Sequence, residues 1–284
     1  MSKVKLALLS SALLVCLIAA GARTTPGQAT ARPSPAPNDI HVTASEASVD
    51  ASVADDPAVD KMLTAYSPKV RALDGVIGKL KGDLKKGGIG SGSLGNFVSD
   101  GIRAEASRKL GTPIVLAVTN GGGLRKNVIA EGDLRQRDIF ELLPFENALV
   151  AFDLTGAQMM DLLRVVMAKR DAQSGAQVTY KIITGKPPEL EQARLWINGA
   201  EQDIDPAATY TVISIDYLLN VTGGDYAAVL KQAKNTRALG LTIRDAITEY
   251  VKAETAAGRE IKSTADGRFV FDKEGSSPQE GQQP

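Results

Sequence analysis

The sequence predicts a mixed α/β (α+β) domain, and three observations carry that prediction. Apolar stripes at helical spacing recur over about 94–110, 154–167 and 242–258. Short apolar or alternating runs at 113–119, 148–154, 178–183 and 210–215 read as strands and interleave with those helices, with more strand in the second half. The apolar fraction, 43% of 284 residues, is ample for a real core, in one large domain or two small ones.

The first residues read as a secretory signal. Lys3 and Lys5 form a charged start, and Leu6 to Ala20 is an apolar run too short to span a bilayer. Ala20-Gly21-Ala22 supplies a small-residue cleavage site, so 1–22 is expected to be removed and the mature chain to be secreted or periplasmic, with no membrane span left. Cys16 lies inside the apolar run with Val15 before it, which disfavours lipidation there. The mature chain then has no cysteine and folds without disulfides. Residues 23–57 are rich in Ala, Pro, Thr, Ser and Asp, with Pro26, Pro33, Pro35 and Pro37 close together. They are expected to form a disordered tether carrying the one histidine, His41. The folded domain is expected over 58–272, and 273–284, rich in Ser, Pro, Gln and Gly, as a disordered tail.

From Asp56 to about Lys86 the spacing predicts helix, with Met62, Leu63, Tyr66, Val70, Leu73, Ile77 and Leu80 on one stripe and Pro68 as a break or restart. A Gly/Ser loop follows over Gly87 to Ser93. The next helix, about Leu94 to Leu110, turns Leu94, Val98, Ile102 and Ala106 to one face and stops at Gly111. After the strand at 113–119 and a glycine-rich turn, Asp133 to Leu143 reads as a short helix or turn. Ala148 to Leu154 alternates as a strand. Thr155 and Gln158 form a capping box, with Leu154 and Met159 as its hydrophobic staple. The helix beyond buries Met159, Leu162, Leu163, Val166 and Met167, where methionine spacing means core packing. Val178 to Ile183, Leu195 to Ile197 and Tyr210 to Ile215 are the later strands, and Asn198-Gly199 is a hairpin signal. Thr242 caps the last helix, with Ile243, Ile247, Tyr250 and Val251 inward and Gly258 past its end. Phe269 to Phe271 adds a short strand.

Charge and chemistry exclude several classes of function. Lys plus Arg and Asp plus Glu both number 33, so no electrostatic argument favours nucleic acid or an anionic membrane as partner. No His/Cys/carboxylate cluster has metal-ligand spacing, and without a histidine base in the folded part there is no Ser/His/Asp or Cys/His set. The P-loop pattern and the dinucleotide-binding fingerprint are both absent. What remains is a set of binding loops. Asn120-Gly121-Gly122-Gly123-Leu124-Arg125 follows a strand and reads evenly as an anion site with freed amides and a guanidinium, or as a solvated turn. Phe145 and Asn147, in Leu143-Pro144-Phe145-Glu146-Asn147, could stack on and hydrogen-bond a flat ring, or Phe145 could be a core residue. In Gly223-Gly224-Asp225-Tyr226, Asp225 could accept from a sugar hydroxyl or cap its own turn.

In order, Leu94-Gly95-Asn96-Phe97-Val98-Ser99-Asp100, the Asn120–Arg125 loop, Gly132-Asp133-Leu134, Leu143–Asn147, Leu154-Thr155-Gly156, Ser174-Gly175-Ala176 and Gly223–Tyr226 resemble the C-terminal domain of the secreted 5′-nucleotidases. That family includes UDP-sugar hydrolases and 2′,3′-cyclic nucleotide phosphodiesterases, and the resemblance covers roughly 60 to 252. It implies a layered α/β/β/α domain with mixed sheets that binds the nucleoside part of the substrate. By resemblance Asn120, Gly122, Gly123 and Arg125 form the phosphate-side loop. Phe145 stacks on the base, Asn147 and Gly175 contact it, and Asp225 holds ribose hydroxyls. A second stacking aromatic is expected just before the Gly-Gly-Asp turn. Leu219 stands at that position, with Tyr217 two residues earlier. Upstream arginines of some members are replaced here by Lys85 and Lys86. The family's N-terminal metallophosphoesterase domain, with its two metals, has no counterpart before residue 56. The expectation is therefore a nucleotide- or nucleoside-binding module without cofactor or metal of its own, and no catalytic residue. It would orient substrate for a separate metallophosphoesterase chain. The alternatives are a stand-alone nucleotide-binding or sensing protein and a non-catalytic interaction domain.

Overall fold

The computed structural model describes residues 42–197, 199–262 and 266–276. The chain divides into two units, Met1–Ala54 and Asp55–Pro284. In the first unit the described residues, 42–54, are exposed and form no helix or strand. The readings made for the signal, Cys16, His41 and most of the tether fall outside the described residues, as do Asn198 and the tail beyond Ser276.

The second unit opens with α1 (Pro57–Thr64) and α2 (Ser67–Ala72), then β1 (Val76–Lys81), β2 (Leu84–Lys85), α3 (Gly92–Leu110) and β3 (Leu116–Thr119). Next come β4 (Val128–Ile129), β5 (Gly132–Arg135), α4 (Gln136–Leu142), β6 (Ala148–Thr155), α5 (Gly156–Lys169), β7 (Ala172–Ser174) and β8 (Ala176–Lys181). The chain continues through β9 (Glu189–Ile197), β10 (Ala200–Asp203), β11 (Thr209–Ile215), α6 (Asp216–Asn220), α7 (Gly224–Leu230) and β12 (Lys234–Thr242). It ends with α8 (Ile243–Ala256), β13 (Ile261–Lys262) and β14 (Phe269–Phe271). Among the described residues no helix is long and apolar enough to cross a membrane.

The central sheet has the order β12-β6-β11-β3-β7. β3 and β11 run parallel, and β6, β7 and β12 pair antiparallel with their neighbours. Every residue of β3 is buried, as expected for a strand covered on both faces. α3 packs on β3 and β7 and against α8, while α5 packs on β6 and β11 and on β9 of a second sheet. That second sheet, β10-β9-β8-β14, is antiparallel except for the parallel β8–β14 pair. Smaller sheets are β13-β1-β5 and β2-β4. The result is a mixed α/β domain with several mixed sheets.

Local chemistry explains the helix ends. Thr155 Oγ1 accepts from Gln158 N while Gln158 Oε1 accepts from Thr155 N at 2.8 Å, the expected capping box. Thr242 and Asp245 make a second one at the start of α8. The expected inward faces of α3 and α5 are buried, as are Ile243, Ile247 and Val251 of α8 with Tyr250 partly so, and Ile197 pairs with Ala200 across the expected hairpin.

The single stripe expected over 56–86 needs correction. Pro68 does restart a helix, but Met62, Leu63, Tyr66 and Val70 are exposed, and the chain is strand from Val76. Asp74-Gly75 breaks the helical run. β5 and β13 then recruit 76–81 through pairings distant in sequence, which local spacing does not report. Gly78 lies under α8, where a Cβ would sit 2.7 Å from Val251 Cγ1. The Gly/Ser loop is also shorter than expected, since α3 starts at Gly92. At the C-terminal side, residues 273–276 turn back so that Ser276 Oγ accepts from Ile182 N at 3.0 Å.

Candidate functional site

Strand direction gathers the binding loops at one edge of the central sheet. β3 and β11 are parallel, so the loop after Thr119 and the turn after Ile215 leave on the same side. β6 runs the other way, with Leu149 opposite Ile215, so the segment leading into it arrives at that edge as well. β7 begins there too, with Ala172 opposite Thr119. Crevices outside the carboxyl ends of parallel strands are where open α/β sheets hold ligands.

Asn147 sits at the meeting point. It lines a narrow crevice with Asn120, Gly123, Phe145 and Ile243, and also an open cleft of about 590 Å³ with Asp216, Tyr217, Asn220, Thr222 and Gly223. Its backbone is fixed on both sides. Asn147 O accepts from Ile243 N at 2.9 Å, and Asp216 Oδ1 accepts from Ala148 N at 3.1 Å. Phe145 is 47% exposed and Tyr217 is 53% exposed, so neither ring is spent on the core. The core reading of Phe145 is thereby excluded. Leu219, by contrast, packs against the core, and Tyr217 is the aromatic that faces the cleft.

The glycine loop is a tight turn. Gly123 N donates to Asn120 O and Leu124 N to Gly121 O, both at 3.1 Å. Gly121 approaches Ser91 so closely that a Cβ would lie 2.1 Å from Ser91 Oγ. Asn120 lines the crevice, and among the described residues its buried Oδ1 has no hydrogen-bond partner. Arg125 is exposed and, among the described residues, makes no ion pair. Its guanidinium lies 5.8 Å from the centre of the Phe145 ring, and Nη1 makes only a long contact, 3.4 Å, with Gly122 O. A free guanidinium beside an exposed aromatic suits a ligand with a flat ring and an anion. Gly122 is exposed at the loop surface. Lys86 Nζ donates to Leu124 O at 2.7 Å, which brings a second cation to the loop, whereas Lys85 turns away to Asp83.

Two expected residues stand apart. Gly175 lies beyond the other end of β3, against Val115. At roughly 3.3 Å per residue, that is some 16 Å from Asn120. Its glycine identity has a structural reason: φ is +112°, and a Cβ would fall 1.9 Å from Val115 O. Asp225, in the first turn of α7, is 65% exposed and pairs with Lys169 at 2.9 Å rather than lining the cleft.

Sequence reasoning missed two supporting residues. Arg244 of α8 donates to Leu143 O at 3.1 Å, pairs with Glu146 and lies 4.5 Å over the Phe140 ring, so it braces the turn that presents Phe145 and Asn147. Asp171 is buried and accepts from Gly121 N and from the Tyr226 hydroxyl, each at 2.7 Å. Burial raises the Asp171 carboxyl pKa against the pull of those two hydrogen bonds, and burial beside Asp171 pushes the Tyr226 phenol well up. The partners of Arg244 and Asp171 are far off in sequence, and no local pattern marks either residue. Among the described residues, no group of three or more His, Cys, Asp or Glu side chains is placed to hold a metal ion.

A family model described as 5′-nucleotidase, C-terminal domain, matches residues 76–232, more than half of the chain. The trifunctional nucleotide phosphoesterase protein YfkN of Bacillus subtilis is 29% identical over 185 residues, covering 62% of this chain and 12% of that protein. Protein UshA of Escherichia coli is 30% identical over 148 residues, covering 52% of this chain and 25% of that protein. The chain thus spans a quarter or less of the length of these two relatives. Among solved structures, a 5′-nucleotidase precursor from Thermus thermophilus superposes with a TM-score of 0.61 at 25% identity, over 76% of this chain and 43% of that one. The Haemophilus influenzae NAD nucleotidase gives 0.60 at 16% identity, over 78% of this chain and 42% of that one, a likeness of fold.

Proposed function

Because this chain belongs to the 5′-nucleotidase C-terminal domain family, we propose that it binds a nucleotide or nucleoside at the sheet edge around Asn147. There it orients a phosphate ester for hydrolysis by a separate metallophosphoesterase. The observation that carries this reading is the convergence on Asn147 of two half-exposed aromatics, Phe145 and Tyr217, with the unpaired guanidinium of Arg125 beside the first. The base lies between or against the rings, the Asn147 amide and the Asn120 carbonyl meet its polar edge, and the Arg125 guanidinium takes the phosphate. Asp225 meets ribose hydroxyls after leaving Lys169, an exposed pair of the kind worth at most about 1 kcal/mol. Gly175 is not assigned a ligand contact.

Divalent metals, which would activate the attacking water, are assigned to the separate metallophosphoesterase. This chain contributes positioning, which alone can lower a barrier substantially. The leader pattern at the start of the chain supports a secreted or periplasmic setting. Calorimetric titration of the chain with AMP and with adenosine tests the proposal. Saturable binding of both, tighter for AMP, is expected. Release of phosphate from AMP by the pure chain with Mn²⁺, Mg²⁺ or Co²⁺ would contradict the assignment of catalysis elsewhere. A stand-alone sensor would use the same cleft. It is distinguished by nucleotide hydrolysis that stays unchanged when the chain is added to a candidate metallophosphoesterase.

A further inference from the structure

The glycine loop and the Gly223–Tyr226 turn lie a hundred residues apart in sequence, and one buried carboxylate joins them. Asp171 Oδ1 accepts from Gly121 N and Oδ2 from the Tyr226 hydroxyl, each at 2.7 Å. The position of Asp171 is itself fixed by the end of α5. Arg170 is left-handed at φ 58°. Asp171 N donates to Val166 O at 2.9 Å and Arg170 N to Met167 O at 3.0 Å, the bonds of a Schellman end. Arg170 O accepts from Ser91 N at 3.0 Å, and Ser91 is the residue on which Gly121 rests. Lys169 holds Asp225. Three consecutive residues therefore tie the start of α3, the glycine loop and the Gly-Gly-Asp-Tyr turn together. Burying a carboxylate is costly, and packing alone would be served by an apolar side chain. A carboxylate with one donor on each oxygen fixes the geometry of both donors instead.

We propose that Asp171 is a positioning residue that sets the glycine loop, and with it Arg125, in register with the turn that carries Asp225. Its effect on affinity rests on the nucleotide-binding reading. The coupling between loop and turn rests on the hydrogen bonds alone. Moving the Gly121 amide displaces the loop that ends in Arg125, so phosphate recognition suffers more than base recognition.

The test uses the full chain with the variants Asp171→Asn and Tyr226→Phe. Amide hydrogen exchange over 120–125 is measured without ligand, and affinities for AMP and adenosine are measured by calorimetry. Tyr226 donates to Asp171 and not to the loop. Faster exchange in 120–125 of Tyr226→Phe, by about tenfold, is therefore the readout of coupling. Asp171→Asn is expected to weaken AMP by about tenfold or more while adenosine changes by less than about threefold. Unchanged loop exchange in Tyr226→Phe overturns the coupling, and equal losses for AMP and adenosine in Asp171→Asn overturn the link to Arg125. If the unmodified chain binds neither ligand, the functional reading and the effect on affinity both fail, and the exchange comparison still decides the coupling. Should Asp171→Asn not fold, Tyr226→Phe, which loses one hydroxyl, carries both measurements.

Discussion

Replacing Arg125 by alanine separates phosphate recognition from everything else this residue does. In the free protein it contributes little. The Phe145 contact, 5.8 Å to the ring centre and exposed, is worth about 0.5–1 kcal/mol, and the 3.4 Å contact with Gly122 O adds almost nothing. Arg125→Ala is therefore expected to cost less than about 1 kcal/mol of stability. Bound to AMP, the guanidinium meets a phosphate through charge-assisted hydrogen bonds, each worth about 1.5–3 kcal/mol. A net loss of about 2–3 kcal/mol corresponds to roughly 30- to 150-fold weaker AMP binding. Adenosine has no phosphate, and removing Arg125 uncovers the Phe145 ring, so adenosine affinity should be unchanged or slightly improved. Titration of both ligands into both proteins, with a denaturant curve for each, gives the comparison. Equal losses for AMP and adenosine would refute the assignment of Arg125 to phosphate.

Other substitutions probe other parts of the account. Tyr217→Ala should weaken AMP and adenosine alike, by about 1–2 kcal/mol, with little change in stability, because the ring is half-exposed. Leu219→Ala should do the reverse and cost about 1–2 kcal/mol of stability, because it packs on the core. Calorimetry and denaturant curves on the pair settle which residue faces the ligand. Gly175→Ala should destabilise by about 2–5 kcal/mol, from the clash with Val115 O and the positive φ, and leave the AMP affinity of folded protein unchanged. A selective loss of AMP binding there would return Gly175 to the site. Burial raises the Asp266 carboxyl pKa, but hydrogen bonds and charge from Arg268 outweigh burial and hold it below the usual value. A depressed folded pKa means that the unfolded chain binds the proton more readily. The stabilisation is present above about pH 4 and lost as pH falls through the lower folded value. Asp266→Asn should thus be less stable at neutral pH and show a shallower acid loss, read from denaturant midpoints across that range.

Much of the domain is legible where local chemistry decides. The Thr155/Gln158 capping box, the Thr242 cap, the 3.6-residue stripes of α3, α5 and α8 and the 197–200 hairpin are all short-range features, and they appear as expected. Residues 76–81 show where that stops. Leu73, Ile77 and Leu80 continue a helical spacing, yet pairing with Gly132–Arg135 and Ile261–Lys262 makes the segment a strand. The site divides in the same way. Motif order pointed to Asn120, Arg125, Phe145 and Asn147, and parallel β3 and β11 with antiparallel β6 bring them to one edge. The same register carries Gly175 to the opposite end. Whether Tyr217 or Leu219 faces the cleft depends on how α6 lies on the core, which ungapped spacing could not decide. Asp171 and Arg244 act on partners tens of residues distant, so their roles emerge only with the tertiary structure.

The central claim is that nucleotide binds at the sheet edge around Asn147. The most direct measurement is chemical-shift mapping of the isotope-labelled chain during titration with AMP. The account predicts saturable shifts at Asn120 to Arg125, Phe145, Asn147 and Tyr217, with Gly175 and the cleft of about 620 Å³ lined by Arg103, Ser107 and Ser174 left unmoved. Shifts centred on Arg103 and Ser174, with the Asn120–Arg125 loop silent, would contradict it.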